Sequence, residues 1–422
     1  MSEPNQSPDH PTGPLAGFKI LDLSAVVSGP LTTALLADQG AEVIKVERLS
    51  GDIQRHVGSN RNGFSGFFHV LNRGKRSIAL DLGSAEGLAI VSRLAARSDV
   101  RVQTFRPGVG KRLGIGYEAL CASHPELVYL SISGFGQTGP HAGDRAYDPI
   151  IQAYSGIASV QGKSHREHPD QPEQVNMLLL DKLTAWTGSQ AITAALLARS
   201  KSGRGQHIEL SMLDTAIAFS WMDVAANLIL QPMAQAAADA AEAFDTAIEK
   251  RPAIGASGTV QEFADGWGAI MTLSQSEFEG LCRVYDLGEL ASDPRFATLA
   301  ARTRNRREWW EVLSTTIADK ARAMSTNQAR DRMAAEQVPF ARVRTLEELP
   351  LDPQVQHNQV FRELDHPVAG MLRDARPAPR FSDTPAQPGG PAPTVGQHTQ
   401  EILAELDMGA AFKQLRAQKV VY

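Results

Sequence analysis

The sequence predicts an α/β protein whose larger domain is built around a doubly wound, mostly parallel sheet. Short apolar segments suited to buried strands alternate with longer segments of helical periodicity through the first half of the chain. This alternation is the pattern of repeated βαβ units. The chain has 422 residues, of which 42% are hydrophobic. A single core rarely organises that length, so a second, smaller domain is expected.

The alternation can be followed along the chain. Residues 18–23 and 42–47 predict two strands on either side of a helix over residues 30–39. This helix has proline at its start and Gly40 after its end, as helices commonly do. Further strands are predicted over residues 77–82, 100–104 and 127–133, and further helices over residues 85–96 and 117–122. These segments place the sheet of the large domain within residues 15–222.

The pattern changes after about residue 222. A smaller α+β domain over residues 223–335 is predicted from an Ala-rich helical segment at 233–243, a strand pair near 259–263 and 268–273, and charged helical sequence up to residue 335. Residues 336–422 become extended and proline-rich before a final helix from His398. Such a stretch usually crosses a surface, either of its own chain or of a partner. Residues 1–14 are polar, and a disordered tail is expected there.

The net charge and the cysteine content argue against several classes of protein. The formal net charge of -5 argues against a nucleic-acid partner, because phosphate binding needs a positive field. The sequence contains no run of 18 apolar residues, so a membrane-spanning segment is not predicted. Cys121 and Cys282 form neither a disulfide framework nor a metal motif, so a reducing cytoplasm is expected. His165 and His168 lack further ligands nearby, and no metal site is predicted.

Asp181 is the candidate catalytic residue. The apolar run 178–180 predicts a strand that ends at this carboxylate, and residues 182–200 predict the helix that follows. A carboxylate at the carboxyl end of a strand and beside helix N–H donors stays ionised and faces the crevice where α/β proteins bind ligands. It can then act as a nucleophile. The competing interpretation is a helix N-cap, the commoner role of an aspartate in that position.

Three loops suit a large anionic ligand. Residues 71–77 and 105–114 each carry three cations next to a predicted strand, and paired guanidinium and ammonium groups match a ligand with several phosphates. The glycine-rich loop 131–140 offers N–H donors of the kind that acyl transfer uses. For either cationic loop alone, a solvated charged turn is the commoner explanation. For the glycine-rich loop, the alternative is a tight turn that uses glycine only for positive φ. The turn at 22–30 lacks the spaced glycines of a nicotinamide site, so that cofactor is not expected.

Together these segments resemble the class III CoA-transferases, of the formyl-CoA transferase and carnitine CoA-transferase type. The similarity runs in family order across nearly the whole chain. It includes residues 15–48, 71–82, 105–117 and 131–140, Asp181, Gly203-Arg204-Gly205-Gln206, Ser211-Met212-Leu213-Asp214, Asp352-Pro353-Gln354-Val355, His366-Pro367, residues 380–385 and Gly396-Gln397-His398-Thr399. Several blocks in register are far more specific than any one of them.

The resemblance implies a Rossmann-like large domain formed by both chain ends, with residues 336–422 as a linker that returns to it. It also implies a small inserted domain and an interlaced homodimer. The family nucleophile falls on Asp181, which would form an acyl-aspartyl anhydride and then an aspartyl-CoA thioester. No tightly bound cofactor is implied, and coenzyme A and acyl-CoA are substrates.

The resemblance also implies a set of CoA contacts. These fall on Val26, Val27, Ser28, Arg48, Arg73, Lys75, Arg76, Thr104, Phe105, Arg112 and Gln137. Two of these positions depart from the family pattern. Thr104 stands where many relatives carry Asn, and Val27 stands where the formyl enzyme carries Gln. The acids that this protein handles therefore stay open.

Two other functions compete with the transferase. A 2-methylacyl-CoA racemase or epimerase of the same fold would need a second proton-transfer group, and that branch carries His before an Asp in the turn after the glycine motif. This chain has Tyr147-Asp148 there, and tyrosine is a poor base at neutral pH because it titrates near 10. A CoA-binding protein without turnover is the third possibility, and the intact Asp181 speaks against it.

Overall fold

The computed structural model describes residues 13–162, 171–228, 258–386 and 388–422. Most of the predicted tail, His165, His168 and the predicted helix at 233–243 lie outside these ranges. The described strands are β1 (Lys19–Asp22), β2 (Glu42–Glu47), β3 (Asn60–Arg61), β4 (Phe64–Ser65), β5 (Lys75–Ala79), β6 (Val100–Gln103), β7 (Val128–Ser133), β8 (His207–Ser211), β9 (Gly258–Phe263), β10 (Gly266–Met271), β11 (Phe340–Arg342), β12 (Phe361–His366) and β13 (Gly370–Ala375).

The helices of the described residues follow in the same way. They are α1 (Ser28–Ala37), α2 (Gly66–Asn72), α3 (Ala85–Ala96), α4 (Val109–Arg112), α5 (Tyr117–Cys121), α6 (Asp148–Tyr154), α7 (Ile157–Gly162), α8 (Leu179–Ser202), α9 (Met212–Leu228), α10 (Gln275–Val284), α11 (Gly288–Ser292), α12 (Leu299–Arg304), α13 (Arg306–Val312), α14 (Ala318–Arg322), α15 (Thr326–Ala335), α16 (Pro353–His357), α17 (Thr399–Glu405) and α18 (Phe412–Ala417). None of these helices is long and apolar enough to cross a membrane.

The largest sheet has six strands in the order β5-β2-β1-β6-β7-β8. Every neighbouring pair in it is parallel, so the predicted α/β class and central parallel sheet are confirmed. The chain builds from β1 outward to β2 and β5, then returns to place β6 on the other side of β1. Loops after β1 and β6 therefore diverge at the carboxyl edge, and such a switch point forms a crevice for ligands.

Helices cover both faces of this sheet. One face packs against α3, α5 and the C-terminal helices through residues such as Ile90, Leu120, Ile402 and Leu415. The other face packs against α1 and α8 through Leu36, Ile192 and Leu196. The contacts group the chain up to Phe219 with the chain from Gln356 onward into one compact unit.

The second unit comprises the described residues between Ser220 and Val355. An antiparallel sheet in the order β11-β10-β9 packs its apolar side chains with those of α10 and α15. The predicted strand pair is present as β9 and β10. This unit continues past residue 335, where the sequence places its end, because β11 pairs with β10 through Gly268 and Arg342.

One predicted element is wrong. The apolar run 178–180 is not a strand, because α8 already begins at Leu179. A short apolar run fits a buried helix turn as well as a buried strand, and hydrophobicity alone does not separate the two. Asp181 therefore lies inside the first turn of a helix of 24 residues.

Candidate active site

The turn between β1 and α1 has a strained backbone. Val26 has a φ of 72°, a left-handed conformation that is unfavourable for a β-branched side chain. The hydroxyl of Thr104, directly after β6, accepts a hydrogen bond from the backbone N–H of Ala25 at 3.0 Å. Gly29 packs so closely that a Cβ there would lie 2.3 Å from the Cβ of Ser24. The surrounding structure thus holds the turn in its conformation, and such strain concentrates at functional sites.

Asp181 contacts the residue that follows this turn. Its carboxylate Oδ1 accepts a hydrogen bond from the hydroxyl of Ser28, the first residue of α1. The side chain is almost fully enclosed, since Asp181 is only 7% exposed. Two helices therefore begin at one carboxylate, which lies at the switch point of the sheet.

The electrostatic environment makes Asp181 more basic than an ordinary aspartate. Burial raises the pKa of Asp181 to about 6, and the negative charge of Asp148 acts in the same direction, while the hydrogen bond from Ser28 lowers it. The carboxylate is still mostly ionised at neutral pH because this pKa lies below 7. A more basic carboxylate is also a stronger nucleophile, so both the charge and the basicity suit attack on an electrophilic carbon.

Asp148 caps the helix that carries Asp181. Its Oδ2 accepts hydrogen bonds from the backbone N–H groups of Leu180 at 2.6 Å and of Asp181 at 2.9 Å. Its Oδ1 accepts from Gln152 Nε2 at 2.6 Å, and Asp148 is 1% exposed. The helix N–H donors that the sequence assigns to the Asp181 side chain are thus used by Asp148. No sequence rule for capping identifies it, because Asp148 lies 33 residues before Asp181.

Most of the predicted CoA contacts lie at the same edge of the sheet. Val26, Val27 and Ser28 follow β1, while Thr104 and Phe105 follow β6, on the two sides of the switch point. Three further members, Arg48, Arg112 and Gln137, come after β2, β6 and β7. Arg48 and Arg112 are exposed to solvent. Gln137 Nε2 is buried and has no hydrogen-bond partner among the described residues.

Arg73, Lys75 and Arg76 differ, because each is bound within the chain. The ammonium of Lys75 donates to Asp22 Oδ2 at 2.9 Å, to the Pro30 carbonyl at 2.8 Å and to Asn72 Oδ1 at 2.9 Å. Three acceptors match its three N–H groups, so no donor is left for a phosphate. Arg73 pairs with Asp38 and Asp374. Arg76 pairs with Glu42, Glu401 and Glu405.

The buried Asp22–Lys75 ion pair supports the turn between β1 and α1. Asp22, the last residue of β1, also accepts hydrogen bonds from the Ser24 N–H at 2.9 Å and from Thr33 Oγ1 at 2.7 Å. Lys45 donates to the Ser24 carbonyl at 3.0 Å. Burial raises the pKa of Asp22, but the charges of Lys75 and Lys45 and the hydrogen bond from Ser24 together hold it well below its usual range. Asp22 and Lys75 thus fix both ends of the turn that contains Val26.

One known protein family matches nearly the whole chain. The family model described as CoA-transferase family III matches residues 15–399. The chain belongs to CoA-transferase family III. The resemblance seen in the sequence motifs is thereby confirmed, and the protein is a class III CoA-transferase.

The relatives of this class III CoA-transferase extend over nearly its full length. It is 33% identical to a succinate–glutarate CoA-transferase of Agrobacterium fabrum, with 96% of this chain and 97% of the relative covered. It is 34% identical to a succinyl-CoA:glutarate CoA-transferase of Mus musculus, with 95% and 89% covered. A crystal structure of a CAIB/BAIF family protein from Brucella suis superposes with a TM-score of 0.75 at 30% identity, covering 94% of this chain and all of that chain.

Proposed function

We propose that this class III CoA-transferase moves CoA from an acyl-CoA to a free carboxylic acid through covalent intermediates on Asp181. The observation that supports this most directly is a buried, basic and ionised carboxylate at the switch point of the sheet, held by Ser28. An anionic nucleophile of this kind needs no general base. Enclosure also suits the proposal, because an anhydride must be kept from water.

In the first half-reaction, a carboxylate oxygen of Asp181 attacks the thioester carbonyl carbon. The C–S bond breaks, its electron pair stays on sulfur, and an acyl-aspartyl anhydride and CoA thiolate result. The thiolate then attacks Cγ of Asp181, the anhydride C–O bond breaks, and the donor leaves as its carboxylate. The product is an aspartyl-CoA thioester.

The second half-reaction runs the same chemistry in reverse. The acceptor carboxylate attacks Cγ of Asp181 and expels CoA thiolate, which forms a second anhydride. The thiolate attacks the acceptor carbonyl carbon, and Asp181 leaves as the free carboxylate. No proton is transferred in the whole cycle. The requirement on the protein is therefore a carboxylate that is charged and protected, as Asp181 is.

For CoA we propose a site along the carboxyl edge of the sheet. The turn Val26–Ser28 and residues Thr104 and Phe105 flank the thioester end, with Gln137 across the crevice. Arg48 and Arg112, which are exposed, provide positive charge for the phosphates. Arg73, Lys75 and Arg76 act as scaffold in this proposal because their charges are paired within the chain.

The names of the relatives suggest the acids. Those from Agrobacterium fabrum and Mus musculus are named for succinate or succinyl-CoA together with glutarate. A relative from Chloroflexus aurantiacus, 33% identical, is named for succinyl-CoA and D-citramalate. We therefore propose succinyl-CoA as donor and a dicarboxylic acid of four or five backbone carbons as acceptor.

A homodimer is also proposed. The outward face of α8 carries Trp186 and Leu197, which are 53% and 60% exposed. Together with Gln190 and Thr193 they follow helical spacing and line a cavity of about 430 Å³. Large exposed apolar side chains that share one helix face are typical of a surface that binds a partner. A second copy of the chain is the partner that the family resemblance suggests.

The racemase alternative has no observation in its favour. Tyr147 occupies the position where that branch carries histidine, and its side chain is exposed. The relatives named above are CoA-transferases.

Replacement of Asp181 tests the proposed mechanism. Asp181→Asn keeps the volume but removes the anionic nucleophile, so transfer from succinyl-CoA to glutarate should fall by at least about a thousandfold while folding is retained. Wild-type protein with succinyl-CoA should carry a CoA adduct on the peptide that contains residue 181, detected by mass spectrometry. Asp319→Asn, at an exposed aspartate of the small unit, is the matched control. Rapid α-deuteration of a 2-methylacyl-CoA without any adduct would contradict the mechanism and favour the racemase.

A further inference from the structure

Two side chains act on Asp181 from opposite directions. The hydroxyl of Ser28 donates to the carboxylate, which favours the charged form. Asp148 accepts from the backbone N–H of Asp181 and of Leu180 and brings a second negative charge close to the same carboxylate. Like charges at short distance disfavour ionisation.

We infer that Asp148 and Ser28 are opposing positioning residues that together set the basicity of Asp181, Asp148 through the first turn of α8 and Ser28 through the carboxylate itself. The inference rests on the proposed nucleophilic role of Asp181. It goes further by assigning to Asp148 a part in the reaction, although Asp148 itself contacts the backbone and not the reacting atoms.

The geometry makes Asp148 more than a cap. A cap could come from the residue before the helix, but Leu178 occupies that position and makes no side-chain hydrogen bond. The capping residue, Asp148, comes from α6 instead, and Gln152 holds its side chain in place. Gln152 also donates a hydrogen bond to the carbonyl of Met177 at 3.3 Å and accepts one from the N–H of Val175 at 2.8 Å. This arrangement introduces a buried charge where a neutral serine or threonine would have satisfied the same N–H groups.

Within the part of the chain that the structure describes, few other charged groups can produce the same effect. Helix α8 packs against α1, α6, β7 and β8. Helix α1 carries no charged side chain. On β7 and β8, Tyr129 and His207 contact each other and also contact Tyr117. These contacts lie on the face of the sheet that is turned away from α8. Glu209 pairs with His207. On α6, Tyr154 contacts Phe135 and His141, and His141 is paired with Asp144.

The remaining charged groups lie on α8 itself. Lys182 adjoins Asp181 in sequence, whereas Arg199 pairs with Asp99 and Lys201 lies in the last turn. Of these groups, Asp148 is the charge that raises the pKa of Asp181.

The test compares the pH dependence of the first half-reaction in Ser28→Ala and Asp148→Asn. The rate of CoA-adduct formation on Asp181 is followed by intact-protein mass spectrometry in single turnovers with succinyl-CoA between pH 4.5 and 8.5. Loss of the Ser28 hydroxyl should move the acidic limb of the profile to higher pH. Loss of the Asp148 charge should move the acidic limb to lower pH. Each of the two shifts should be about one pH unit or less. Titration of the substrate phosphates is common to all variants and cancels in the comparison.

Controls separate this effect from simple loss of stability. Ser84→Ala removes the N-cap of α3, where the Ser84 hydroxyl accepts from Gly87 N–H, and it should lower the melting temperature without moving the limb. Asp148→Ala, which removes both the acceptor and the charge, should lower kcat more than Asp148→Asn, with the KM for succinyl-CoA little changed.

The outcomes are distinct. Opposite shifts of the two limbs support the inference, because a role in folding alone predicts no such reversal. Limbs that stay in place or move in the same direction, with Asp181→Asn inactive, would overturn it and leave the proposed function standing. An active Asp181→Asn variant would instead overturn the proposed function.

Discussion

The positive side chains near the predicted ligand site differ in what they touch. Arg73, Lys75 and Arg76 share one short segment, and each is held by carboxylates of the same chain. Arg48 and Arg112 are exposed at the opposite, carboxyl edge of the sheet. Lys75 uses all three of its N–H donors within the chain, and moving a buried ion-pair partner to a ligand would leave a charge unpaired, which is strongly unfavourable.

We therefore expect Arg48→Ala and Arg76→Ala to have different effects. Loss of a charge-assisted contact to phosphate should raise the KM for succinyl-CoA in Arg48→Ala by roughly tenfold, with little change in the melting temperature. Arg76→Ala should lower the melting temperature, because three glutamates lose their shared partner, and should leave KM nearly unchanged. Steady-state kinetics and thermal unfolding of both variants measure this. A raised KM for succinyl-CoA in Arg76→Ala, with an unchanged melting temperature, would instead indicate that Arg76 contacts CoA.

At the scale of elements, the β1–α1 turn depends on Thr104. The hydroxyl of Thr104 holds the N–H of Ala25, the residue directly before the strained Val26. The family resemblance leads us to expect Asn at this position, and the threonine side chain also carries an oxygen that accepts from the turn. This hydrogen bond helps to hold the turn in which Val26 has an unfavourable backbone conformation.

Thr104→Val should relax the turn, because valine has the same shape but no hydrogen-bonding group. We expect kcat/KM for succinyl-CoA to fall roughly fivefold to tenfold, which corresponds to about 1 kcal/mol for one hydrogen bond. Thr104→Ser retains the hydroxyl and is the matched control, with activity close to that of the wild type. Equal activity in the valine and serine variants would show that the hydroxyl does not hold the turn.

The elements also show what the sequence can and cannot predict. Strands such as β2 and β7 follow from apolar runs between helices, because a parallel sheet buries both faces of its strands. The start of α8 has no local signal in the sequence, because its N–H groups are capped by Asp148, which lies in a different helix. The ion pair of Lys75 with Asp22 is equally hard to predict, because the sequence of a glycine-containing turn does not show whether its cation faces solvent or a buried carboxylate.

At the scale of the whole molecule, the C-terminal segment completes a core that the N-terminal segment begins. Ile402, Leu403 and Leu415 pack on the sheet face beside Ile78 and Ile90, and Val421 forms a bridge with Leu80. Arg73 ties the β12–β13 hairpin to α1 through Asp374 and Asp38. Such long-range pairing leaves no local signature in the sequence, so the family resemblance predicts it and the periodicity does not.

The outward face of α8 leads to a prediction about assembly. Trp186 and Leu197 expose apolar surface on the same helix whose other face packs against α1 and the sheet. Burying these side chains against a second copy would remove apolar area from water, which favours association by roughly 25 cal/mol per Å² before the entropic cost of binding. We expect the wild-type protein to be a dimer by light scattering at low micromolar concentration.

Charge placed on this face should separate the copies. Leu197→Glu would bring two carboxylates into a dry interface, so the variant should shift toward the mass of a monomer or fail to remain soluble at concentrations where the wild type is dimeric. Leu299→Glu introduces the same charge at an exposed leucine of the small unit and should leave the dimer intact. Trp186→Glu gives an independent measurement on the same face, about three turns from Leu197 along α8. A wild-type chain that is monomeric and fully active would refute the dimer. A dimer that persists in both face variants would place the interface elsewhere on the molecule.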